Sequence, residues 1–126
     1  MNPFKMTMMQ AASGMELQTK RIGVNSENLS NADTPGYKRK MLITEQASFG
    51  DQLRTSFVTL DETQGDQTYD PTHPMADAQG YVTGSNVSLV IEMADMRDAN
   101  RQYEANLNSF QQARTMYTSL LDILRR

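Results

Sequence analysis

The first thirty residues carry a helical pattern of apolar side chains. No proline interrupts the chain between Phe4 and Ala32, and apolar residues recur at every seventh position, as in a helix that buries one stripe. This stripe consists of Met1, Met8, Met15, Ile22 and Leu29. A neighbouring series is apolar at its ends and polar in its middle, as where a buried amide sets the register of two helices. Its members are Phe4, Ala11, Gln18, Asn25 and Ala32.

The last third of the chain shows the same seven-residue repeat, with an apolar or aromatic side chain at every member. These residues are Leu89, Met96, Tyr103, Phe110, Tyr117 and Leu124. A companion series is interrupted by two polar residues, Asn100 and Arg114, which also suit a role in setting register. Ser88 precedes the pattern, and we expect its hydroxyl to accept a hydrogen bond from an early backbone N–H as the N-cap. A long second helix is therefore predicted from Ser88 onward.

A turn separates the first helix from the middle of the chain. In the sequence Thr34-Pro35-Gly36-Tyr37, proline pre-sets the first central position of a type II turn, and glycine accepts the positive φ required at the second. The helix is therefore expected to stop at this turn.

The middle of the chain, residues 37–86, loses the helical period. It contains short apolar runs separated by Gly, Asp, Gln and Pro, which is typical of short strands and loops. The runs are Met41 to Ile43, Phe57 to Leu60, and Gly80 to Val82. The stretch from Tyr69 to Pro74 contains two prolines and is therefore expected to be extended or turned.

The helix lengths favour partners outside the chain. The two helices would be about 45 and 55 Å long, whereas a compact domain of 126 residues has a diameter of only about 36 Å. We predict a mainly α fold in which long N- and C-terminal helices pair as an α-helical hairpin or coiled coil, with a small irregular β-containing middle. The predicted division of this single unit is 1–36, 37–86 and 87–126.

Composition narrows the class of protein. Only 38% of residues are hydrophobic, below the usual globular level, so the core should be thin and folding should favour a partner. With 12 basic against 15 acidic residues, the chain lacks the basic surface that nucleic acids require. No segment resembles a signal peptide or a bilayer span, so neither membrane insertion nor a cleaved leader is expected.

Candidate chemistry is sparse. The chain has no cysteine and a single histidine, His73, whereas a catalytic or metal site needs further groups at defined distances. The acidic residues Asp61, Glu62, Asp66 and Asp70 do not follow the spacing of a calcium-binding loop. The sequence therefore predicts no enzyme and no catalytic, cofactor or metal site.

Several motifs resemble a known family. The segment Glu27 to Tyr37 reads ENLSNADTPGY and resembles the signature of the axial proteins of the bacterial flagellum, with Ser30 where alanine is usual. Residues 71–82, Asn86-Val87, Glu92-Met93 and Tyr103 to Asn106 look like the proximal rod proteins in particular. The departures are Ser85, where proline usually precedes Asn-Val, and a missing loop before the Gly-Tyr turn. Nothing is recognised between residues 44 and 67.

The resemblance implies a structural subunit of the basal-body rod, which crosses the periplasm and transmits motor torque. It implies assembly with other rod subunits and copies of itself into a helical tube, with the terminal helices inside and the middle outside. It further implies synthesis in the cytoplasm and delivery by the flagellar type III export apparatus. The helix-to-loop corner would be shaped by the turn residues Thr34, Pro35, Gly36 and Tyr37. The expected assembly interface comprises Met8, Met15, Ile22, Asn28, Leu29, Asn31, Met96, Tyr103, Asn106, Phe110, Tyr117 and Leu124.

Alternative functions remain open at this stage. One is that the chain is the other of the two proximal rod proteins, or an export adaptor at the base of the rod. Another, from a different class, is a small hydrolase in which His73 acts as base with Asp70 or Asp77 as the carboxylate that orients it.

Overall fold

A computed structural model describes residues 2–46 and 54–126. The elements in chain order are α1 (Pro3–Ser30), β1 (Lys40–Gln46), β2 (Arg54–Leu60), β3 (Gln67–Tyr69), β4 (Tyr81–Thr83) and α2 (Leu89–Leu124). The two helices run antiparallel, since the ring of Phe4 near the start of α1 lies 6.4 Å from that of Tyr117 near the end of α2. The predicted fold class is confirmed. Met1 of the first stripe lies outside the described residues.

Both ends of α1 have a local cause. At its start, the Asn2 side chain accepts from the Phe4 backbone N–H at 2.8 Å, and Pro3 occupies the first turn, where its missing N–H costs nothing. At its end, the Asn31 amide donates to the Glu27 carbonyl at 2.9 Å, which satisfies one of the carbonyls left open when a helix stops. These local contacts account for the observed bounds of α1.

The predicted turn after α1 is confirmed. The Tyr37 N–H donates to the Thr34 carbonyl at 3.2 Å, and Gly36 has φ 74°. This is the positive value that a type II turn needs at its second central residue, after the proline.

The start of α2 is confirmed in position but not in detail. Ser88 is the N-cap residue, yet its side chain makes no capping hydrogen bond, so the expected role of its hydroxyl is wrong. The Ser88 carbonyl instead accepts from the Glu92 N–H at 3.0 Å. Glu92 lies in the first turn, where a carboxylate interacts favourably with the positive end of the helix dipole.

Small and polar side chains form the seam where α1 meets α2. The buried residues of the two helices are Ala11, Gly14, Gln18, Asn25, Asn28, Glu92, Ala99 and Ala113. Across the seam, the Gln18 amide donates to Gln102 at 3.0 Å. Gln18 and Asn25, predicted to set the register of two helices, are buried between the helices of this chain. The reason is that small neighbours such as Ala11 and Gly14 let α2 approach this side of α1 most closely. Asn100 and Arg114, for which the same role was predicted, are exposed and lie outside this seam.

Large apolar side chains lie beside the seam or outside it. Met8, Met15, Ile22 and Leu29 of the first stripe are half-buried, as are Met96, Tyr103, Phe110 and Tyr117 of the second. Leu89 and Leu124 are exposed. The total accessible surface is 9003 Å², compared with about 6,800 Å² expected for a compact monomer of this mass. Within the described ranges, neither helix has an apolar stretch capable of crossing a bilayer.

The middle region consists of two small antiparallel hairpins. β1 pairs with β2 from Lys40 opposite Leu60 to Gln46 opposite Arg54, and β3 pairs with β4. The three predicted apolar runs fall in β1, β2 and β4 or adjoin them. β3 was not predicted, because its three residues are all exposed and carry no alternation. The Tyr69 to Pro74 stretch ends β3 and continues in turns, as expected. Residues 47–53 lie outside the described part.

Replacing either glycine of α1 by alanine should change the stability of the chain, and we expect the two changes to have opposite signs. A Cβ at Gly14 would lie 2.6 Å from the Asn106 amide nitrogen and 2.8 Å from its Cγ, whereas a Cβ at Gly23 meets nothing within 4 Å. Gly23→Ala should therefore stabilise the chain by up to about 1 kcal/mol through helix propensity. Gly14→Ala should lose that gain and destabilise, because Asn106 must leave the seam. Urea unfolding of both variants measures the difference; stabilisation by both would contradict close packing at Gly14.

Candidate assembly interface

Asn28 joins the end of α1 to the start of β1. Its side chain is fully buried. The amide nitrogen donates to the Lys40 carbonyl at 2.9 Å, and the amide oxygen accepts from the Lys40 N–H and the Tyr37 hydroxyl, both at 2.9 Å. Burial raises the pKa of Tyr37, whose hydroxyl is the donor in this contact. One side chain thus fixes the corner where the chain leaves the first helix.

Asn86 makes a similar joint just before α2. Its oxygen accepts from the Arg39 N–H at 2.6 Å, and its nitrogen donates to the carbonyls of Asp61 and Thr63, both at 2.8 Å. Asn86 therefore holds both ends of the β1–β2 hairpin against the start of the second helix.

A buried ion pair completes this corner. Arg39 donates through Nε to the Glu92 carboxylate. The Glu92 side chain is fully buried, and its other oxygen has no hydrogen-bond partner in the described part of the chain. A carboxylate that is removed from water depends on its paired cation, so Arg39 holds α2 against the hairpin. Lys40 pairs with Glu27 next to it, but both of these side chains are partly exposed.

A second charged cluster ties α1 to α2 directly. Arg21 donates to both Asp95 and Asp98 of α2, the latter at 3.0 Å. The hydrogen bond from Arg21 lowers the pKa of Asp95, and in return Asp95 raises the pKa of Arg21. These shifts mean that the charged forms stabilise the helix pair.

The expected interface residues fall into three groups. Asn28 and Asn31 belong to the corner and the cap of α1, and Asn106 lies across Gly14 within the seam. The four turn residues form the type II turn. The apolar members flank the seam and are half-buried, except for exposed Leu124: Met8, Met15, Ile22, Leu29, Met96, Tyr103, Phe110 and Tyr117. Their part in contacts between chains stays a prediction.

Sequence reasoning missed the residues that hold the corner together. Arg39 and Glu92 are 53 residues apart, and no local pattern indicates that they meet. Asn86 and Glu92 do occur in the motifs that carry the family resemblance, and this was the available signal.

Exposed apolar residues cluster at both ends of α2. The first group adjoins the corner and the second lies at the opposite end of the helix pair: Leu89, Val90, Ile91 and Met93, then Met116, Leu120, Ile123 and Leu124. Contact of these residues with another chain would remove apolar surface from water, which is favourable.

His73 is engaged in local turn structure. Its Nδ1 accepts from the Met75 N–H at 3.0 Å, whereas a catalytic pair needs that nitrogen to face an orienting carboxylate. The Asp70 carboxylate accepts from Thr72, and that of Asp77 accepts from the N–H groups of Gln79 and Tyr81. The hydrolase arrangement is therefore not formed. Over residues 2–46 and 54–126, no three acidic, His or Cys side chains are grouped as metal ligands.

Comparison with known proteins agrees with the architecture. A family model for flagella basal body rod proteins matches residues 8–38, and one for the C-terminal part of flagellar basal body rod FlgEFG proteins matches residues 78–123. The chain is 40% identical to the flagellar basal-body rod protein FlgC of Agrobacterium fabrum, over 99% of this chain and 98% of the relative. The chain belongs to the FlgC family.

Other members of the FlgC family are similar over most of their length. The proteins from Bacillus subtilis and Salmonella typhimurium are each 30% identical over 90% of this chain, and the match covers 93% and 92% of those relatives. The resemblance proposed from the motifs is thus confirmed. The two family-model matches cover most of α1 with its turn, and β4 with α2. The intervening residues, which include both strands of the first hairpin, belong to neither match.

Proposed function

We propose that this FlgC-family chain is a structural subunit of the flagellar basal-body rod, and that it assembles through the outer faces of its helix pair. The proposal rests on which side chains of α1 and α2 lie inside the helix pair and which lie outside it. The seam inside the chain is small and polar, whereas large apolar side chains of both helices flank it or face outward. A subunit of this kind gains most of its apolar burial from neighbours.

In this proposal, copies of the chain and related rod subunits form a helical tube with the helix pairs inside and the β hairpins outside. Torque passes through many packed contacts. The corner residues Asn28, Asn86 and Arg39 make the hairpin and the helix pair move together under load. The divisions 1–36, 37–86 and 87–126 then correspond to the inner helix with its turn, the outer region and the second inner helix.

The proposed location is the rod that crosses the periplasm, reached through the flagellar type III export apparatus without a cleaved signal peptide. Direct membrane insertion, nucleic-acid binding and enzymatic activity form no part of the proposal. The sister rod protein and the adaptor are not favoured, because the similar proteins described above carry the FlgC name along nearly their whole length.

Met116→Asp tests the assembly role. Met116 is 58% exposed, so the monomer should keep its fold, whereas a carboxylate forced into an apolar contact between subunits should prevent assembly. In a strain that lacks the native gene, we expect at least tenfold fewer complete basal bodies by electron microscopy and no swimming. Asn100→Asp, at an exposed position of the same helix, is the matched control and should swim normally.

Wild-type swimming by the Met116→Asp strain would contradict apolar assembly at this surface. Complete rods in a strain from which the gene is deleted would overturn the proposed function itself.

A further inference from the structure

Charge is distributed unevenly along the helix pair. Residues 6–15 of α1 contain no Asp, Glu, Lys or Arg, and residues 105–121 of α2 contain only Arg114. The two segments face each other, since Gly14 adjoins Asn106 and Phe4 adjoins Tyr117. We call them together the charge-poor half. The charged half, residues 16–30 and 89–104, carries ten charged side chains.

The charge-poor half has the composition of a protein interface. Charged residues make up about a quarter of a typical soluble domain, and their depletion together with enrichment in Met marks the core of an interface. Met9 and Met116 are 59% and 58% exposed here. The exposed positions around them on α2 are uncharged amides and hydroxyls: Asn108, Ser109, Gln111, Gln112, Thr115, Thr118 and Ser119. Arg114 is thus the one charged side chain of this half, and Lys5 from the neighbouring turn lies over the Tyr117 ring at 5.8 Å.

Arg114 is the exception, and its charge is not matched within the helix pair. It is exposed, and none of the ion pairs formed in the described ranges includes it. The side chains one turn away on α2 are Phe110, Gln111, Tyr117 and Thr118, and none of them is acidic. An assembly that buries this half must supply a carboxylate to Arg114, because an unpaired buried guanidinium is strongly destabilising.

The same helix offers such carboxylates on another copy. Among the described helix residues, Glu104 and Asp122 are the acidic side chains without an ion-pair partner, and both are exposed. Every other carboxylate of α1 and α2 is paired with a Lys or Arg of its own chain. Glu104 and Asp122 flank Arg114 along the helix at distances of about 15 and 12 Å. If a neighbouring copy is shifted along the helix axis by one of these distances, its Glu104 or Asp122 lies at the same height as Arg114.

We propose that the charge-poor half packs against the same half of neighbouring copies of this chain, and that Arg114 forms an ion pair with Glu104 or Asp122 of the neighbour. The inference rests on the proposed rod function and locates its main contact. The surface of 9003 Å² exceeds that of a compact monomer by about 2,200 Å², because the chain is an elongated helix pair that leaves large apolar residues exposed. The ion pair fixes the axial offset between copies, which apolar contacts alone leave free to slide.

Single cysteines test the surface, because the native chain contains none. Gln112→Cys and, as matched control, Ser26→Cys place one thiol at exposed positions of the charge-poor and charged halves. In the monomer both should react equally with a maleimide. In purified basal bodies the thiol at position 112 should react at least tenfold more slowly than that at 26, and dissociation should restore its reactivity.

Equal reaction rates at the two positions in basal bodies would overturn the proposed contact through the charge-poor half. The rod function would still be supported in that case, because the labelled chain would be present in the basal bodies. Absence of the wild-type chain from purified basal bodies would overturn the function.

Charge reversal tests the ion pair. Arg114→Glu should reduce the number of complete rods at least tenfold, and a second change, Glu104→Arg or Asp122→Arg, should restore assembly in one of the two combinations. Arg97→Glu, at an exposed position of the charged half two turns from Glu104, should leave assembly intact. Normal swimming by Arg114→Glu, or failure of both double variants, would overturn the pairing.

Discussion

Replacing Arg39 by methionine should lower the free energy of unfolding by about 3 kcal/mol or more, because it leaves the Glu92 carboxylate buried and unpaired. Glu92 is fully buried and Arg39 is its only cationic partner among the ion pairs of the described residues. Methionine keeps most of the aliphatic length of arginine, so the loss reports the missing charge and not a cavity. Urea unfolding followed by far-UV circular dichroism measures it.

Two controls distinguish the effect of breaking a buried ion pair from the effect of removing one positive charge. Lys40→Met removes a neighbouring cation from a partly exposed pair with Glu27 and should cost at most about 1 kcal/mol. The double variant Arg39→Met with Glu92→Met replaces the whole pair by apolar groups and should recover most of the stability. Equal losses in the Arg39 and Lys40 variants would contradict the structural role of the buried pair.

Asn28→Ala should be nearly as damaging, with an expected loss of about 3 kcal/mol. The change removes three hydrogen bonds and leaves the Lys40 N–H and carbonyl without their partner at a buried site, and each such loss costs about 1 kcal/mol. We expect the hairpin to detach from α1 before the helices unfold. Hydrogen exchange at the Lys40 amide should therefore accelerate more than exchange in the middle of α2.

Asn31→Ala is the matched control for Asn28→Ala, because the two asparagines lie in the same motif. Asn31 makes a local cap bond to Glu27 and accepts one from Thr34, both near the surface, so its loss should be about 1 kcal/mol or less. If both variants lose the same stability, the buried corner is not the important feature of this motif.

The helices and the turn could be predicted because their signals are local. A seven-residue repeat requires only neighbouring side chains, and Pro35 followed by Gly36 defines a type II turn without any distant contact. The same holds for Ser88 as the residue that precedes α2.

The face of each helix that meets the other could be predicted only in part. The second series of α1 supplies Ala11, Gln18 and Asn25 to the observed seam. Ala99 and Ala113 of α2 belong to neither predicted series, since close approach depends on side-chain size as well as on polarity. A repeat of seven identifies which residues share a stripe, and two neighbouring stripes satisfy it equally.

The contacts at the corner could not be predicted from the sequence because they join segments that are far apart in the chain. Asn86 binds backbone groups of Arg39, Asp61 and Thr63, and no periodic pattern relates these positions. The family motifs pointed to Asn28 and Asn86 as residues worth attention, without giving their partners.

The small, polar seam between α1 and α2 also has a thermodynamic consequence. The heat-capacity change of unfolding arises mainly from apolar surface that becomes exposed to water. Because few large apolar side chains are fully buried in the single chain, its stability should vary little with temperature. The larger negative heat-capacity change should accompany association with neighbours. Calorimetry would then detect hydrophobic burial chiefly when subunits join, and cold would weaken the assembled tube more than it weakens the isolated subunit.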